Sequence, residues 1–355
     1  MPSILRFLRA YVKSMRLYYS FITGICGWIG VAFYQYVART FGAIGTSHLH
    51  RTREVPTPPE KTLVILAILF LSWGINQIIN DYLGLKEDRI NAPSRPMVTG
   101  ELHVFSALLL SALLILGTFL VTALYLEPVA ILPLLAGILL NVVYEYAKSY
   151  GILGNLVFGV MISTCAMFGF FAAGPAEQYF TKSRLSVLAL IIILNGLMTF
   201  YTYFKDFKGD SAAGKRTLVV RHGLRVSRWI GVFSAFLPSL AFAILYYGLN
   251  AIEIELNRVF IILSVLTVFL QVWTGISFFV SPVGEKTYTS LEINFRAAAC
   301  GQATLIALFN PELGMTLFLC AYIFVGFLFN LQRNDQQREK PISADQTTPA
   351  RYRDQ

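Results

Sequence analysis

Long apolar runs separated by short charged loops dominate the sequence. Nine runs have about 20 residues, the length that an α-helix needs to cross the hydrocarbon core of a bilayer. They are continuous and rich in Leu, Ile and Phe, whereas the strands of a membrane β-barrel alternate apolar and polar residues. The pattern therefore predicts an all-α fold, a polytopic bundle of about nine transmembrane helices. The predicted spans lie near residues 17–38, 62–84, 104–126, 128–147, 153–174, 184–204, 228–248, 258–280 and 312–332.

A tenth segment, residues 293–309, does not fit this pattern cleanly. It is short, and it carries Arg296 and Gln302 among apolar residues. Three arrangements are open for it, because it can cross the bilayer, re-enter it or lie at its interface.

The composition supports a membrane protein and excludes a disordered chain. Hydrophobic residues make up 55% of the sequence and charged residues 14%, against about 25% charged residues in soluble domains. The mean hydropathy is +0.59, and a soluble fold has no place for so much apolar surface. A net charge of +9 would suggest nucleic acid for a soluble protein, but here the basic residues lie between apolar runs. We therefore expect the lipid bilayer, and no nucleic acid, as a partner.

The distribution of Lys and Arg predicts the orientation, because short cytoplasmic loops of membrane proteins are enriched in these residues. Fifteen of them fall on the side of the N-terminus and seven on the opposite side. The N-terminus and the loops after the second and sixth runs are therefore expected to face the cytoplasm. The C-terminal end joins them only if the tenth segment crosses.

The domain limits, the C-terminal tail, two histidines and the four cysteines carry no functional prediction. Residues 1–335 are expected to form one domain, and the polar residues 336–355 a disordered tail. His48 and His50 lie in a polar, Pro-rich loop, and we assign them no role. The four cysteines lack metal-ligand spacing and are expected to be small core residues rather than a disulfide framework. They are Cys26, Cys165, Cys300 and Cys320.

Acidic residues cluster in two loops that each follow an apolar run. If the second run continues as a helix, Asp81 and Asp88 lie two turns apart on one face, beside a stripe formed by Asn80, Gly84 and Asp88. After the sixth run, Asp206 and Asp210 are spaced i, i+4 and also share a face. Basic residues are interleaved with both clusters: Lys86, Arg89, Arg95, Lys205, Lys208, Lys215 and Arg216.

These residue types together favour one kind of chemistry. Clustered carboxylates repel each other unless a cation lies between them, and oxygen ligands suit Mg²⁺, which often shares its shell with substrate phosphates. The Lys and Arg side chains are donors for the same phosphates. The pattern indicates metal-assisted departure of a diphosphate, with a hydrophobic partner that enters from the bilayer. The alternative is that both loops are merely solvated and follow the positive-inside rule.

At these residues the sequence resembles the UbiA superfamily of intramembrane prenyltransferases. Residues 80–100, from Asn80 and Asp81 through Asp88 to Gly100, are similar to the first Asp-rich motif of that family and its Arg-Pro tail. Asp206 and Asp210, followed by residues 214–217, are similar to the second motif. The motifs follow the second and sixth runs, as in the family, and the likeness covers about residues 15–335. Residues 144–148 resemble a family segment whose basic residue contacts the diphosphate.

The resemblance implies a helical bundle around a central cavity that binds Mg²⁺ and a prenyl diphosphate. Carried over by position, the metal ligands are Asn80, Asp88, Asp206 and Asp210, and Asp81 or Glu87 can substitute, since Gly84 and Tyr203 stand where the family often has acids. Asp88, Asp206, Asp210 and Tyr203 are the expected catalytic residues. The residues expected at the diphosphate are Arg95, Lys148, Lys205, Lys215 and Arg216.

Three functions are compatible with these residues. A transferase would pass the ionised prenyl group to an aromatic or hydroxyl acceptor. A terpene cyclase would fold the same cation onto its own double bonds, and Gly84 with the acids that follow it resembles that branch of the family. Aromatic side chains in the spans can stabilise a cation in either reaction. A transporter is disfavoured, because its ionisable residues should lie near the middle of the spans.

Overall fold

The computed structural model describes residues 4–42, 54–284 and 286–338, and within these ranges it contains helices and no strand. The all-α prediction is therefore confirmed. The helices are α1 Ile4–Met15, α2 Ser20–Gly42, α3 Pro59–Leu83, α4 Leu85–Asn91, α5 Pro96–Thr99, α6 Val104–Tyr125, α7 Ile131–Ala147, α8 Ile152–Ala173, α9 Lys182–Ala212, α10 Leu218–Ser234, α11 Leu237–Ala243, α12 Arg258–Val280, α13 Thr287–Ala307 and α14 Pro311–Arg338.

Nine segments in the described ranges are long and apolar enough to cross a membrane, and each coincides with a predicted run. The seventh is composite: α10, α11 and a π-helical turn follow one another from Leu218 to Gly248. The lipid-facing helices α6 and α7 keep large apolar side chains exposed, as expected where lipid is the solvent. The protein is an integral multi-pass membrane protein.

Helix α13 shows what the tenth segment does. It has 21 residues, which corresponds to about 31 Å at 1.5 Å per residue. The Asn257 side chain, at the start of α12, donates a hydrogen bond of 2.7 Å to the carbonyl of Ala307, at the end of α13. On the other side, Gly314 lies against Ala307, and Gly326 lies against Arg296. Because α13 runs antiparallel to α12 and α14 along their length, it crosses the membrane with them.

The polar side chains of α13 explain why its sequence is less apolar than that of its neighbours. Gln302 donates to Asn195 Oδ1 of α9 at 3.0 Å, and Asn294 donates to the carbonyl of Met198 at 2.9 Å. Arg296 pairs with Glu292 at 3.0 Å within the helix. Nearly every residue of α13 is buried between other helices, so it meets protein rather than lipid. The crossings in the described ranges thus number ten, and α14 ends on the side where α2 begins.

The smaller predictions have the following outcomes. All four cysteines are free, with Cys26 and Cys300 buried, so the prediction that they form no disulfide framework is confirmed. Helix α14 continues to Arg338, three residues past the predicted domain end at 335. His48, His50 and residues 339–355 lie outside the described residues.

The hydrogen bond between α13 and α9 gives a stability prediction. Replacing Gln302 by Leu leaves Asn195 Oδ1 buried without this donor, which should cost about 1–3 kcal/mol. We expect a lower melting temperature for the detergent-solubilised variant. Ile323→Leu on the exposed face of α14 is the control and should melt like the unaltered protein. Equal melting temperatures for both variants would contradict this account of α13.

Candidate active site

A cavity of about 1180 Å³, including its open mouth, lies at one end of the bundle. The ends of α3, α7, α9 and α14 meet there with the beginnings of α2, α8 and α13, so helices that are distant in sequence contribute to one wall. Both acidic clusters reach it. The predicted site residues that line it are Asn80, Asp81, Asp88, Arg95, Lys148, Lys205, Asp206 and Asp210.

The first acidic cluster is built on two helices rather than one. The expected continuous helix is interrupted at Gly84, where α3 ends and α4 begins one residue later. The Gly84 amide donates to the Asn80 carbonyl at 2.8 Å, and the Asp88 amide donates to the Gly84 carbonyl at 3.0 Å. The break leaves Asp81 and Asp88 on the same cavity wall, as the spacing predicts.

Asp81 is the centre of an ion-pair network. Its Oδ1 accepts hydrogen bonds from Arg16 at 2.5 Å, from Gln77 at 2.9 Å and from Arg95 at 3.4 Å. Asp81 is buried, so these donors replace the water that an ionised carboxylate would otherwise need. The arrangement gives Asp81 a positioning role, because its charge is already balanced by two guanidinium groups.

Arg95 joins this network to Asp88, whose Oδ2 it contacts. Burial raises the pKa of Asp88, and the guanidinium of Arg95 opposes this shift without cancelling it. Burial alone would lower the pKa of Arg95, but the carboxylates of Asp81 and Asp88 outweigh it and raise that pKa. Arg95 therefore keeps its charge in the cavity and can offer it to an anion.

The second cluster lies on a regular stretch of α9. Thr199, Thr202, Asp206 and Asp210 line the cavity at spacings of three and four residues, and this confirms that the two Asp residues share one helix face. Tyr203, which follows Thr202 on α9, does not line the cavity. Its side chain is buried, and its hydroxyl lies near Gly154 at the start of α8.

Two basic residues of the predicted diphosphate set also lie outside the lining. Arg216 follows the end of α9, and its side chain is exposed. Lys215 contacts the carboxylates of Glu145 and Glu87, with 2.7 Å to Glu87. Burial would raise the pKa of Glu87, but the hydrogen bond and charge of Lys215, a backbone hydrogen bond and the charge of Lys148 together lower it. Lys215 thus links α4 to α7 behind the cavity wall, while Lys148, 2.9 Å from Glu145, lines the cavity itself.

Sequence reasoning missed three polar residues of the site. Arg16 counted only as a topological charge, yet its left-handed backbone (φ 50°, ψ 68°) turns the chain from α1 into α2 and directs the guanidinium to Asp81. Gln77 could have been found, because it lies one helical turn before Asp81. Glu145 lies within residues 144–148, and the structure places its Oε1 atom 4.0 Å from where a Cβ atom on Gly84 would lie.

The inner wall of the cavity is aromatic. Tyr19 stacks on Trp73 with ring centroids 4.5 Å apart, and Tyr18 packs 5.1 Å from both Phe295 and Phe329. Tyr18, Tyr19 and Trp73 line the cavity, whereas other aromatic side chains of the spans, such as Trp28 and Trp273, lie outside the lining. The cavity therefore combines a charged mouth with an aromatic interior.

The donor set at the mouth fits a divalent cation that is shared with a substrate. Asn80 Oδ1 is buried and has no hydrogen-bond partner among the described residues, and the Asp88, Asp206 and Asp210 carboxylates line the same cavity. Within the described part of the chain, no three His, Cys, Asp or Glu side chains form a metal cluster by themselves. Mg²⁺ does not require one, since it is usually bound by one or two carboxylates, waters and substrate phosphates.

Comparison with known proteins identifies the family. The model of the UbiA prenyltransferase family matches residues 43–298. The chain belongs to the UbiA prenyltransferase family. Curated relatives include the digeranylgeranylglyceryl phosphate synthases of Thermococcus sibiricus, 28% identical over 63% of this chain and 72% of the relative, and of Methanosarcina mazei, 27% identical over 68% and 80%. The resemblance drawn from the two motifs is confirmed.

Solved structures of this UbiA family member's relatives share its fold. A UbiA homologue from Aeropyrum pernix K1 has a TM-score of 0.63 at 16% identity, covering 81% of this chain and 97% of that one. A homologue from Archaeoglobus fulgidus bound to DMAPP and Mg²⁺ has a TM-score of 0.60 at 15% identity, covering 87% and 99%. At this identity the likeness establishes the helical architecture.

The Arg95 network predicts an asymmetric response to mutation. Arg95→Gln leaves Asp88 without its counter-charge, and breaking a buried pair from one side costs about 3–5 kcal/mol. We expect a clear fall in the melting temperature of the ligand-free protein. Adding Asp88→Asn to Arg95→Gln should recover part of this loss, because the unpaired charge is then gone. Arg89→Gln, which changes an exposed residue of α4, is the control, and a loss equal to that of Arg95→Gln would contradict the assignment.

Proposed function

We propose that this UbiA family enzyme transfers a prenyl group from a prenyl diphosphate to an aromatic or hydroxyl acceptor, in a Mg²⁺-dependent reaction within the membrane. One observation carries the proposal. A single cavity combines the carboxylates of both motifs and a set of cationic side chains at its mouth with an aromatic interior. A diphosphate with an apolar tail has the same division between a charged head and an apolar body.

The mouth supplies the groups that hold a diphosphate. Arg95, Lys148 and Lys205 line the cavity and can donate charge-assisted hydrogen bonds to phosphate oxygens. Asn80, Asp88, Asp206 and Asp210 would hold Mg²⁺, which when bound neutralises the diphosphate and makes it a better leaving group. The prediction of Mg²⁺ agrees with the Archaeoglobus fulgidus homologue structures bound to Mg²⁺ with DMAPP or GPP.

The interior supplies the groups that receive the hydrocarbon. Tyr18, Tyr19 and Trp73 line the cavity, and Phe158, which also lines it, packs against Trp73 with ring centroids 5.8 Å apart. Ring faces attract positive charge, so positive charge that develops on the allylic carbon is stabilised without a nucleophilic group. These rings also exclude water, which would otherwise capture the carbon as an alcohol.

The prenyl diphosphate and the acceptor together account for every bond, electron pair and proton of the proposed reaction. The bond between the allylic carbon and the diphosphate oxygen breaks, and its electron pair leaves with the diphosphate. A lone pair of the acceptor oxygen, or a π pair of an aromatic ring, then forms the new bond to carbon. The proton lost by the acceptor is taken up by the departing diphosphate, so no further reactant is needed.

Relatives support a transferase. The name digeranylgeranylglyceryl phosphate synthase, which several curated relatives share, describes a product with two geranylgeranyl groups on a glyceryl phosphate. We propose prenyl transfer for this chain as well, but we do not propose the same acceptor. The excess of Lys and Arg on the side of the N-terminus supports a cytoplasmic location for the cavity mouth.

The first prediction from this function concerns the acids. Asp88→Asn and Asp206→Asn each remove one charged ligand for the cation, so turnover should fall by at least about 10²-fold, as for the loss of a transition-state electrostatic contact. Turnover is measured with geranyl diphosphate, an alcohol acceptor and varied Mg²⁺. Glu101→Gln, at an exposed acid outside the cavity, should leave turnover unchanged. Near-normal activity of both Asp variants would disprove the metal-binding assignment.

The second prediction distinguishes transfer from cyclisation. A transferase without its acceptor should release diphosphate slowly, because the dry cavity offers no nucleophile. Adding an alcohol or phenol should accelerate release and yield a prenylated product, both measured by a diphosphate assay and mass spectrometry. Fast release without an acceptor, accompanied by a cyclic hydrocarbon or alcohol, would show that the protein is a terpene cyclase instead.

A further inference from the structure

A second cavity lies deeper in the bundle, directly behind the active-site cavity. It has a volume of about 520 Å³, including its opening, and is enclosed by α2, α3, α7 and α8. Trp73 lines both cavities, so a single indole ring belongs to the wall between them. The second cavity has no charged residue in its lining, but five neutral polar residues stand among the apolar ones. They are Thr23, Ser72, Asn76, Asn141 and Thr164.

Asn141 is the unusual residue of this cavity. Its side chain is 1% exposed, and among the described residues neither its amide oxygen nor its amide nitrogen has a hydrogen-bond partner. Each such buried group costs about 1–3 kcal/mol when it stays unsatisfied. By contrast, the buried amide of Asn294 donates a hydrogen bond to the Met198 carbonyl. The side chain of Asn141 can therefore form hydrogen bonds with a ligand that is not part of the described chain.

The position of Asn141 connects it to the active site. It lies three and four residues before Tyr144 and Glu145, so these three residues form one stripe on α7. Lys148 follows directly after the end of α7 and lines the active-site cavity together with Tyr144 and Glu145. The separation from Asn141 to Glu145 is about 6 Å along the helix axis. A group bound at Asn141 is therefore about one helical turn below the charged mouth.

The remaining polar atoms define what the ligand must offer. Ser72 already donates its hydroxyl proton to the Leu69 carbonyl at 2.9 Å, and Thr164 donates to the Met161 carbonyl at 2.6 Å, so both oxygens are left as acceptors. Trp73 Nε1 is a buried donor without a partner among the described residues. Together with the free amide of Asn141, the set matches a group that donates and accepts at once. A hydroxyl does both.

The rest of the lining defines the body of the ligand. The remaining walls are mainly aliphatic and aromatic, and include Ile68, Leu134, Ile138 and Phe168. Because the lining is uncharged, it offers no counter-charge to a phosphate or carboxylate, whose burial without one is very costly. The cavity is therefore suited to a neutral amphiphile with an apolar chain.

We propose that this second cavity binds the acceptor of the prenyl transfer, a neutral membrane-soluble molecule whose hydroxyl is held by Asn141. The inference rests on the proposed function and narrows its acceptor to a hydroxyl compound. Trp73 lines both cavities, so the hydroxyl of the acceptor meets the allylic carbon of the prenyl diphosphate beside this residue. Asn141 positions the acceptor and takes no part in the departure of the diphosphate.

The test uses Asn141→Leu, which keeps the branched shape of the side chain and removes both hydrogen-bonding groups. The probes are geranyl diphosphate with Mg²⁺ as donor and the monohexadecyl ether of glycerol as acceptor. The KM for the ether should rise at least about tenfold, the equivalent of one lost hydrogen bond, while the KM for geranyl diphosphate stays the same. The fully methylated ether, which has no hydroxyl proton, should be a poor ligand of the unaltered protein.

A structural control separates binding from folding. Asn155 is a buried amide that donates to the Gly196 carbonyl at 3.0 Å, so Asn155→Leu should lower the melting temperature and leave the ratio of the two KM values unchanged. Asn141→Leu should not lower the melting temperature, because Asn141 has no partner to lose among the described residues. A fall as large as that of Asn155→Leu, without a change in KM for the ether, would overturn the proposal.

Binding measured without a donor separates this inference from the proposed function. Loss of ether binding in Asn141→Leu, with retained binding by the unaltered protein, supports the site even if no prenyl transfer is found. Transfer with an unchanged KM for the ether in Asn141→Leu overturns the site and leaves the function intact. Equal binding of the ether and its methylated form would also overturn the proposal, since the hydroxyl would then not be recognised.

Discussion

The ionised carboxylate of Asp81, buried against Arg16 and Arg95, is the interaction on which the active-site end depends. It connects three parts of the chain, the turn into α2, the end of α3 and the segment before α5. None of these charges could be buried alone without a large desolvation cost. Arg95 also contacts Asp88, so the network places the guanidinium of Arg95 beside the carboxylate of Asp88 in the cavity. Within this network the two guanidinium groups match the two carboxylates in charge before any substrate enters.

The sequence predicts the parts of the fold that lipid controls. A helix that faces lipid must be apolar over its whole length, and so the nine apolar runs coincide with nine spans. Helix α13 escapes this rule because other helices surround it, and Gln302 and Asn294 can then bond to α9. The hydropathy of a segment therefore indicates whether it faces lipid or other helices, and it does not indicate whether the segment crosses the membrane. Neighbour geometry, here the contacts of Ala307 with α12 and α14, is what places such a helix.

The same distinction applies to the site. Local spacing predicts that Asp206 and Asp210 share a face, because both lie on one uninterrupted helix. The same spacing does not account for Tyr203, which lies three residues before Asp206 on this helix but is buried outside the cavity lining. The pair of Arg16 with Asp81 is beyond its reach, since these residues lie 65 residues apart. For Glu145, local spacing reaches Lys148, three residues away, but not Lys215, which lies 70 residues away. Motifs therefore located the mouth of the cavity, whereas its counter-charges follow only from how α1, α3, α7 and α9 pack.

In the proposed reaction, the two cavities hold different groups because one has a charged mouth and the other has an uncharged lining. Charged groups are needed where a diphosphate leaves, but a carboxylate or amine near the developing cation would capture or neutralise it. Trp73 and its aromatic neighbours occupy that intermediate position, where ring faces stabilise positive charge without bonding to it. In the proposed reaction, a neutral amide such as Asn141 can hold the acceptor hydroxyl beside these rings without adding a charge that competes with the diphosphate mouth. Uncharged polar groups therefore suit the proposed acceptor site, because a weak oxygen nucleophile needs hydrogen bonds but no counter-charge.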